Sequence, residues 1–101
     1  GLMCSYNAVN GVPSCASSWL QEVIARQSWG FDGYVTSDCD AARSVFENQS
    51  YTRTPEEATA KVLVAGMDLN CGGFVGKHVQ KALDQGLMTE VVLDARVKNI
   101  L

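Results

Sequence analysis

Long apolar runs and an excess of positive charge are both missing from this sequence. Among its 101 residues no apolar run approaches the roughly 18 residues that a membrane span needs. Eight lysines and arginines against eleven aspartates and glutamates give a net charge of −3. This balance argues against nucleic acid and against an anionic membrane as partners. The composition, 47% hydrophobic and 19% charged, is that of an ordinary globular domain.

Metal-binding patterns are missing as well. The four cysteines, Cys4, Cys15, Cys39 and Cys71, form no Cys-x-x-Cys pair and have no histidine at zinc-finger spacing. We therefore expect no metal and no cofactor. Four cysteines allow three full disulfide pairings. Together with the glycosylation sequon at Asn48, they favour a secreted protein in an oxidising setting, outside the cell or in the cell wall. Four free thiols in a cytosolic protein is the alternative.

Three short apolar runs recur at a step of about 32 residues. They are Gly1 to Ser5, Gly33 to Ser37 and Gly66 to Asn70, each bounded by polar residues or glycine as a buried parallel strand would be. Helix signals lie between them, with capping boxes that begin at Ser18 and at Thr54. The four predicted helices cover residues 18–30, 54–66, 74–85 and 89 to the end of the chain.

The alternation of strand and helix predicts an α/β fold made of parallel βα units. Three such units cannot close a barrel, which takes about 250 residues. The chain also begins inside an apolar run and stops inside a helical pattern. We therefore expect a C-terminal slice of about three βα units from a (β/α)8-type barrel. A small, complete α/β domain is the alternative.

Candidate catalytic carboxylates cluster around the second strand. Asp38 ends this strand, Asp40 follows on the loop, and Asp68 lies within the third strand. Active sites of β/α barrels lie at the C-terminal ends of the strands. Neighbouring strands are about 4.8 Å apart, so carboxylates from two strand ends could share one pocket, as retaining glycosidases require. Alternatively, Asp38 or Asp40 caps the next helix, and Asp68 is a buried structural acid.

Three segments together resemble glycoside hydrolase family 3. They read Met-Cys-Ser-Tyr-Asn-x-Val-Asn-Gly at 3–11, Gly-Phe-x-Gly with Ser-Asp at 30–38, and Ala-Gly-Met-Asp-Leu-Asn-Cys-Gly at 65–72, in the family's order and spacing. The resemblance implies that residues 1–101 are part of the N-terminal catalytic barrel domain. It makes Asp38 the nucleophile, with Tyr6 and Met3 lining the subsite of the non-reducing sugar.

The residue after the nucleophile indicates a subgroup. β-Glucosidases of the family usually have tryptophan there, whereas this chain has Cys39. The segments Ser-Asp-Cys-Asp-Ala at 37–41, Thr-Pro-Glu-Glu-Ala at 54–58 and Asp-Leu-Asn-Cys-Gly at 68–72 together resemble eukaryotic β-xylosidases and xylosidase/arabinofuranosidases. The implied enzyme is retaining and exo-acting, and it removes terminal β-D-xylosyl or α-L-arabinofuranosyl residues from xylan-derived oligosaccharides. A β-glucosidase of the same family and a non-catalytic carbohydrate-binding module are the alternatives.

By the same resemblance, other parts of the machinery lie outside this chain. The acid/base glutamate comes from a second α/β domain, so the rest of the protein is a required partner. The family's sugar-binding Lys-His pair lies upstream, and Lys77-His78 stands in the wrong place for it. A cysteine hydrolase using Cys39 and His78 does not fit the order and context of these residues.

Adjacent strand ends can bring two cysteines within disulfide distance. We expect Cys4 to pair with Cys15 across the loop after the first strand. We expect Cys39 to pair with Cys71 between the ends of the second and third strands. In the alternative, Cys39 is a free thiol lining the sugar pocket.

Overall fold

The computed structural model describes all residues from 1 to 101. It has an α/β architecture with a short 3₁₀ turn at Ser14–Ala16 and a π-helix at Trp19–Ser28. The strands are β1 (Leu2–Cys4), β2 (Ala8–Val9), β3 (Val12–Pro13) and β4 (Val35–Ser37), and the helices are α1 (Ala41–Glu47), α2 (Pro55–Ala65), α3 (Phe74–Asp84) and α4 (Glu90–Ile100). None of these helices is long and apolar enough to cross a membrane.

Parallel pairing between β1 and β4 forms the centre of the fold. Met3 lies opposite Thr36 in this pair. The third predicted strand is reduced to a single parallel bridge between Thr36 and Leu69. The amides of Asp68 and Leu69 both donate to the Val35 carbonyl, at 2.8 and 3.1 Å. The Asp68 carboxylate accepts from the Val35 amide at 2.8 Å. A side chain thus replaces part of the regular ladder, and the prediction of a five-residue strand was wrong.

The two predicted capping boxes have different outcomes. Thr54 caps α2 as expected, because its hydroxyl accepts from the Glu57 amide at 3.1 Å. Ser18 does not cap, since its backbone is already helical and its side chain makes no cap hydrogen bond. Ser17 takes that place and accepts from the Leu20 amide at 3.2 Å. The prediction of Ser18 as the cap was wrong by one residue.

Helix α1 lies between β4 and α2, where the sequence analysis predicts no separate helix. Asp40 occupies its N-cap position in a left-handed backbone conformation, with φ of 64°. Its carboxylate makes no cap hydrogen bond and instead lies 3.6 Å from the guanidinium of Arg43. Helix α1 has only seven residues and no side-chain cap. The sequence therefore has no capping box there, such as the one that begins at Thr54, from which the helix could be predicted.

The hydrophobic core lies between the strands and the helices. Val35 and Ser37 of β4 are buried on this side. Alternate residues of a strand point to opposite faces, so Thr36 belongs to the other face, where its strand neighbours Met3 and Leu69 are 64% and 45% exposed. Helix α2 contributes more residues to the core than any other helix, through the buried residues Ala58, Ala60, Val62 and Leu63.

Candidate active site

Asp38 lies immediately after β4, at the carboxyl end of the parallel strand pair. Its amide donates to the Cys4 carbonyl at 2.8 Å, and its own carbonyl accepts from the Ala41 amide at 2.9 Å. The side chain is partly exposed, and its Oδ1 accepts from the Cys39 amide at 2.9 Å. The structure gives Oδ2 no hydrogen bond. The backbone therefore fixes this carboxylate, while one oxygen remains free to react.

Tyr6 contacts the turn that follows Asp38. Its hydroxyl donates to the Cys39 carbonyl, and its own carbonyl accepts from the side-chain amide of Gln49. The residue is 41% exposed. Because the hydroxyl already has a partner, the ring face is the part of Tyr6 that is most available to a ligand.

Met3 occupies the exposed face of β1, opposite Thr36 of β4. Residues that lie directly opposite each other on paired strands project from the same face of the sheet. Met3 therefore lies on the side of the strand pair from which Thr36 projects. Tyr6 lies close in sequence to Met3, so the first strand and its loop bring both predicted binding residues to this part of the molecule.

Both disulfides are present with the pairing that the sequence analysis expects. Cys4 and Cys15 are joined with their Cα atoms 5.1 Å apart, and Cys39 and Cys71 with theirs 4.5 Å apart. Both separations lie in the usual range for disulfides. No cysteine is free, so the free-thiol alternative for Cys39 was wrong. A cysteine hydrolase is also excluded, and His78 Nδ1 instead lies 2.9 Å from a carboxylate oxygen of Glu56.

Two polar residues that the sequence analysis does not single out hold the neighbouring turn. The buried Ser37 hydroxyl accepts from the Cys71 amide at 2.8 Å and donates to Asn70 Oδ1 at 3.2 Å. The Asn70 side-chain amide then donates to the Gly72 carbonyl at 2.9 Å. Gly72 has φ of +130°, and a Cβ there would lie 2.6 Å from Asp40 Oδ1. These contacts fix Cys71, and through the disulfide they fix Cys39 beside Asp38.

Asp68 does not share a pocket with Asp38. Its side chain is 0% exposed and lies 2.8 Å from Arg26 Nη2. Its other oxygen accepts from the Asn99 amide at 3.0 Å and lies 3.5 Å from Arg96 Nε. The bond to the Val35 amide places it at the start of β4, about 10 Å of strand away from Asp38. The hypothesis of a shared pocket was wrong, and the reading of Asp68 as a buried structural acid agrees with these contacts.

No group of three or more histidine, cysteine, aspartate or glutamate side chains is arranged so that it could hold a metal ion. The chemistry that the site can offer is that of a carboxylate at the end of a strand, next to an aromatic ring and a disulfide.

Comparison with known proteins identifies the family. The family model described as "Glycosyl hydrolase family 3 N terminal domain" matches residues 1–101. The chain belongs to glycosyl hydrolase family 3. Among curated family 3 relatives, "Probable beta-D-xylosidase 6" of Arabidopsis thaliana is 52% identical over 99 residues, which are 98% of this chain. "Beta-xylosidase/alpha-L-arabinofuranosidase 2" of Medicago sativa subsp. varia is 49% identical over 98 residues, or 97% of the chain.

A solved family 3 structure gives the same result for the fold. The GH3 exo-beta-xylosidase XlnD, in complex with a xylobiose aziridine activity-based probe, superposes with a TM-score of 0.88 and 36% identity over 94% of this chain. Our chain covers 13% of that protein, and it covers 12% and 13% of the two curated relatives. The family 3 segment described here thus corresponds to a small part of each of these relatives.

Proposed function

We propose that this chain is part of a retaining, exo-acting glycoside hydrolase that removes terminal β-D-xylosyl or α-L-arabinofuranosyl residues from xylan-derived oligosaccharides. The observation that carries the proposal is the position of Asp38 within a family 3 domain. Its backbone is fixed at the end of β4, and one carboxylate oxygen is free of hydrogen bonds. The relatives named as xylosidases and arabinofuranosidases support this substrate class.

In this mechanism Asp38 is the nucleophile. Its carboxylate attacks the anomeric carbon as an acid from another part of the enzyme protonates the departing glycosidic oxygen. The bond to the leaving group breaks and a glycosyl ester forms. The conjugate base then takes a proton from water, which attacks the anomeric carbon and releases the carboxylate. Two inversions give net retention. A carboxylate suits this role because the transition state is oxocarbenium-like and therefore carries positive charge.

The residues around Asp38 support a subsite for the non-reducing sugar. Tyr6 offers its ring, Met3 offers an apolar side chain from β1, and the Cys39–Cys71 disulfide borders the site in place of the tryptophan of the related glucosidases. The Cys39 amide keeps Oδ1 of Asp38 occupied. The attack therefore comes from Oδ2 in this proposal.

Residues 1–101 form part of the N-terminal catalytic domain in this proposal. Met3, Thr36 and Leu69 form a row across three parallel segments, and Met3 and Leu69 are 64% and 45% exposed. A groove of about 280 Å³, lined mainly by apolar side chains, also runs along β1 and the π-helix. Both features support a slice of a (β/α)8-type barrel whose remaining strands and helices come from the rest of the protein. The second domain would supply the acid/base residue.

The setting that fits the chain is extracellular or the cell wall. Two disulfides are typical of proteins from oxidising compartments. Asn48 is exposed at the end of α1 within its sequon, which is the placement that N-glycosylation needs. These observations support secretion and modification of Asn48.

The test of the proposal uses the full-length enzyme and the variant Asp38→Ala. We expect its rate on an aryl β-xyloside to fall by on the order of 10⁴-fold, and the wild type to release the β-anomer first, as followed by NMR. Asp32→Asn, which alters an exposed acid on the same segment, is the matched control and should retain activity. A wild type that turned over only aryl β-glucosides would point to the glucosidase alternative. Sugar binding without turnover would point to a binding module.

A further inference from the structure

Gln49 lies in a tightly held turn at the end of α1. Its amide donates to the Ser44 carbonyl at 2.9 Å, and the amide of Tyr51 donates to the Val45 carbonyl at 2.9 Å. Between them Ser50 has a left-handed backbone with φ of 50°. This backbone fixes the position of the Gln49 Cα atom, from which the side chain extends. The side chain reaches Tyr6, which lies 43 positions away in the sequence.

The side chain of Gln49 begins a chain of three hydrogen bonds that ends on the nucleophile. Its Nε2 donates to the Tyr6 carbonyl, and the Tyr6 hydroxyl donates to the Cys39 carbonyl. The Cys39 amide in turn donates to Asp38 Oδ1 at 2.9 Å. The turn after α1, the loop after β1 and the turn after β4 are joined in this way.

Tyr6 depends on Gln49 for its position. The structure gives the Tyr6 backbone a single hydrogen bond, the one from Gln49. The next residue, Asn7, is held from the other side, where its carbonyl accepts from the amide and the hydroxyl of Ser14 at 2.9 and 2.7 Å. Without the Gln49 donor, the Tyr6 backbone would lose its one hydrogen bond. The Tyr6 hydroxyl would then no longer be held at the Cys39 carbonyl.

The side-chain oxygen of Gln49, Oε1, indicates that this residue does more than stabilise the fold. Oε1 is buried and has no hydrogen-bond partner, which is unfavourable for folding. An apolar side chain of similar size would remove this cost. The benefit of glutamine at this position therefore lies in its donor, which contacts Tyr6.

We infer that Gln49 is a positioning residue for the nucleophile Asp38, acting through Tyr6 and Cys39. The inference rests on the proposed function. Reacting groups must be held within a fraction of an ångström of their productive geometry, and a displacement of about 1 Å can cost about 100-fold in rate. Loss of the Gln49 donor should therefore slow formation of the glycosyl-enzyme without loosening the fold.

The test is Gln49→Met in the full-length enzyme, with Asn48→Gln as the matched control. Gln49→Met keeps the size of the side chain and the sequon but removes the donor, whereas Asn48→Gln removes the sequon and keeps the donor. We expect the pre-steady-state rate of glycosyl-enzyme formation to fall about 10-fold in Gln49→Met, with an unchanged or higher unfolding temperature. Asn48→Gln should keep the wild-type rate. If Gln49→Met unfolds early, Gln49→Glu, which has the same shape, replaces it.

A double variant tests the route through Tyr6. If Gln49 acts through the Tyr6 hydroxyl, Gln49→Met combined with Tyr6→Phe should be no slower than Tyr6→Phe alone. Independent, multiplicative losses would overturn the inference, and so would a wild-type rate in Gln49→Met. Asp38→Ala is measured beside them. If it retains activity, the proposed function fails; if it is inactive and Gln49→Met is unaffected, only the positioning role fails.

Discussion

At the scale of single residues, surroundings decide what a carboxylate can do. Asp38 is partly exposed and accepts one hydrogen bond, from the Cys39 amide. Asp68 is fully buried and contacts the guanidinium groups of Arg26 and Arg96. A buried charge is tolerated only when it is paired and hydrogen-bonded. Asp68 is thus fixed as part of the framework, and Asp38 keeps an oxygen available for chemistry.

Asp68→Asn should destabilise the fold strongly. The substitution leaves the two arginines without their buried partner, which costs about 3–5 kcal/mol in comparable pairs. Chemical denaturation of the full-length variant measures this loss in the free energy of unfolding. Asp84→Asn, which changes an exposed carboxylate on α3, is the control and should change stability by less than about 0.5 kcal/mol. A loss below about 1 kcal/mol in Asp68→Asn would show that the contacts of Asp68 with Arg26 and Arg96 do not stabilise the fold.

The place of a residue in the fold could be predicted from the sequence where one motif carries it. Asp38 stands out because an apolar run ends in acid within a recognisable pattern. Ser37 and Gln49 do not stand out, because their contacts join segments 34 and 43 residues apart. Nothing in the local sequence shows that the Ser37 hydroxyl accepts a hydrogen bond from the amide of Cys71.

At the scale of elements, local signals predict helices better than they predict strands. Thr54, Pro55 and Glu57 define the start of α2 within four positions, and the structure uses them as expected. The third strand depends on Asp68, whose side chain takes the Val35 amide from the ladder. The π-helix at Trp19–Ser28 has no local signal that separates it from an α-helix.

Thr54→Ala tests the helix cap. The Glu57 amide would lose its partner, so we expect a loss of about 1 kcal/mol in the free energy of unfolding. Ser18→Ala is the control, because Ser18 begins a helix without any side-chain cap bond and its removal should have little effect. Equal losses in the two variants, measured by denaturant unfolding, would be evidence against this account of the caps.

At the scale of the whole molecule, the segment carries the proposed nucleophile without the second carboxyl group that the proposed mechanism needs. Retaining glycosidases need a second carboxyl group about 5 Å from the nucleophile, and Asp68 is bound at the other end of β4. The face that bears Met3 and Leu69 is open to solvent. In the proposed function, both the chemistry and the packing therefore depend on further parts of the protein.

Residues 1–101 expressed alone should be inactive and poorly stable. In the proposed mechanism the acid that protonates the leaving group lies outside this segment. The exposed side chains of Met3 and Leu69 and the edge of β1 favour aggregation. An assay with an aryl β-xyloside, run beside thermal unfolding, checks both expectations. A cooperative transition together with turnover that Asp38→Asn abolishes would show a complete small enzyme and would contradict the barrel-slice proposal.

The most direct test of the central claim is to trap the glycosyl-enzyme on its nucleophile. The full-length enzyme is incubated with an aryl 2-deoxy-2-fluoro-β-xyloside, digested, and mapped by mass spectrometry. We expect the fluoroxylosyl group to be attached to the carboxylate of Asp38. Labelling of any other residue, with Asp38 unmodified in an inactivated enzyme, would contradict it.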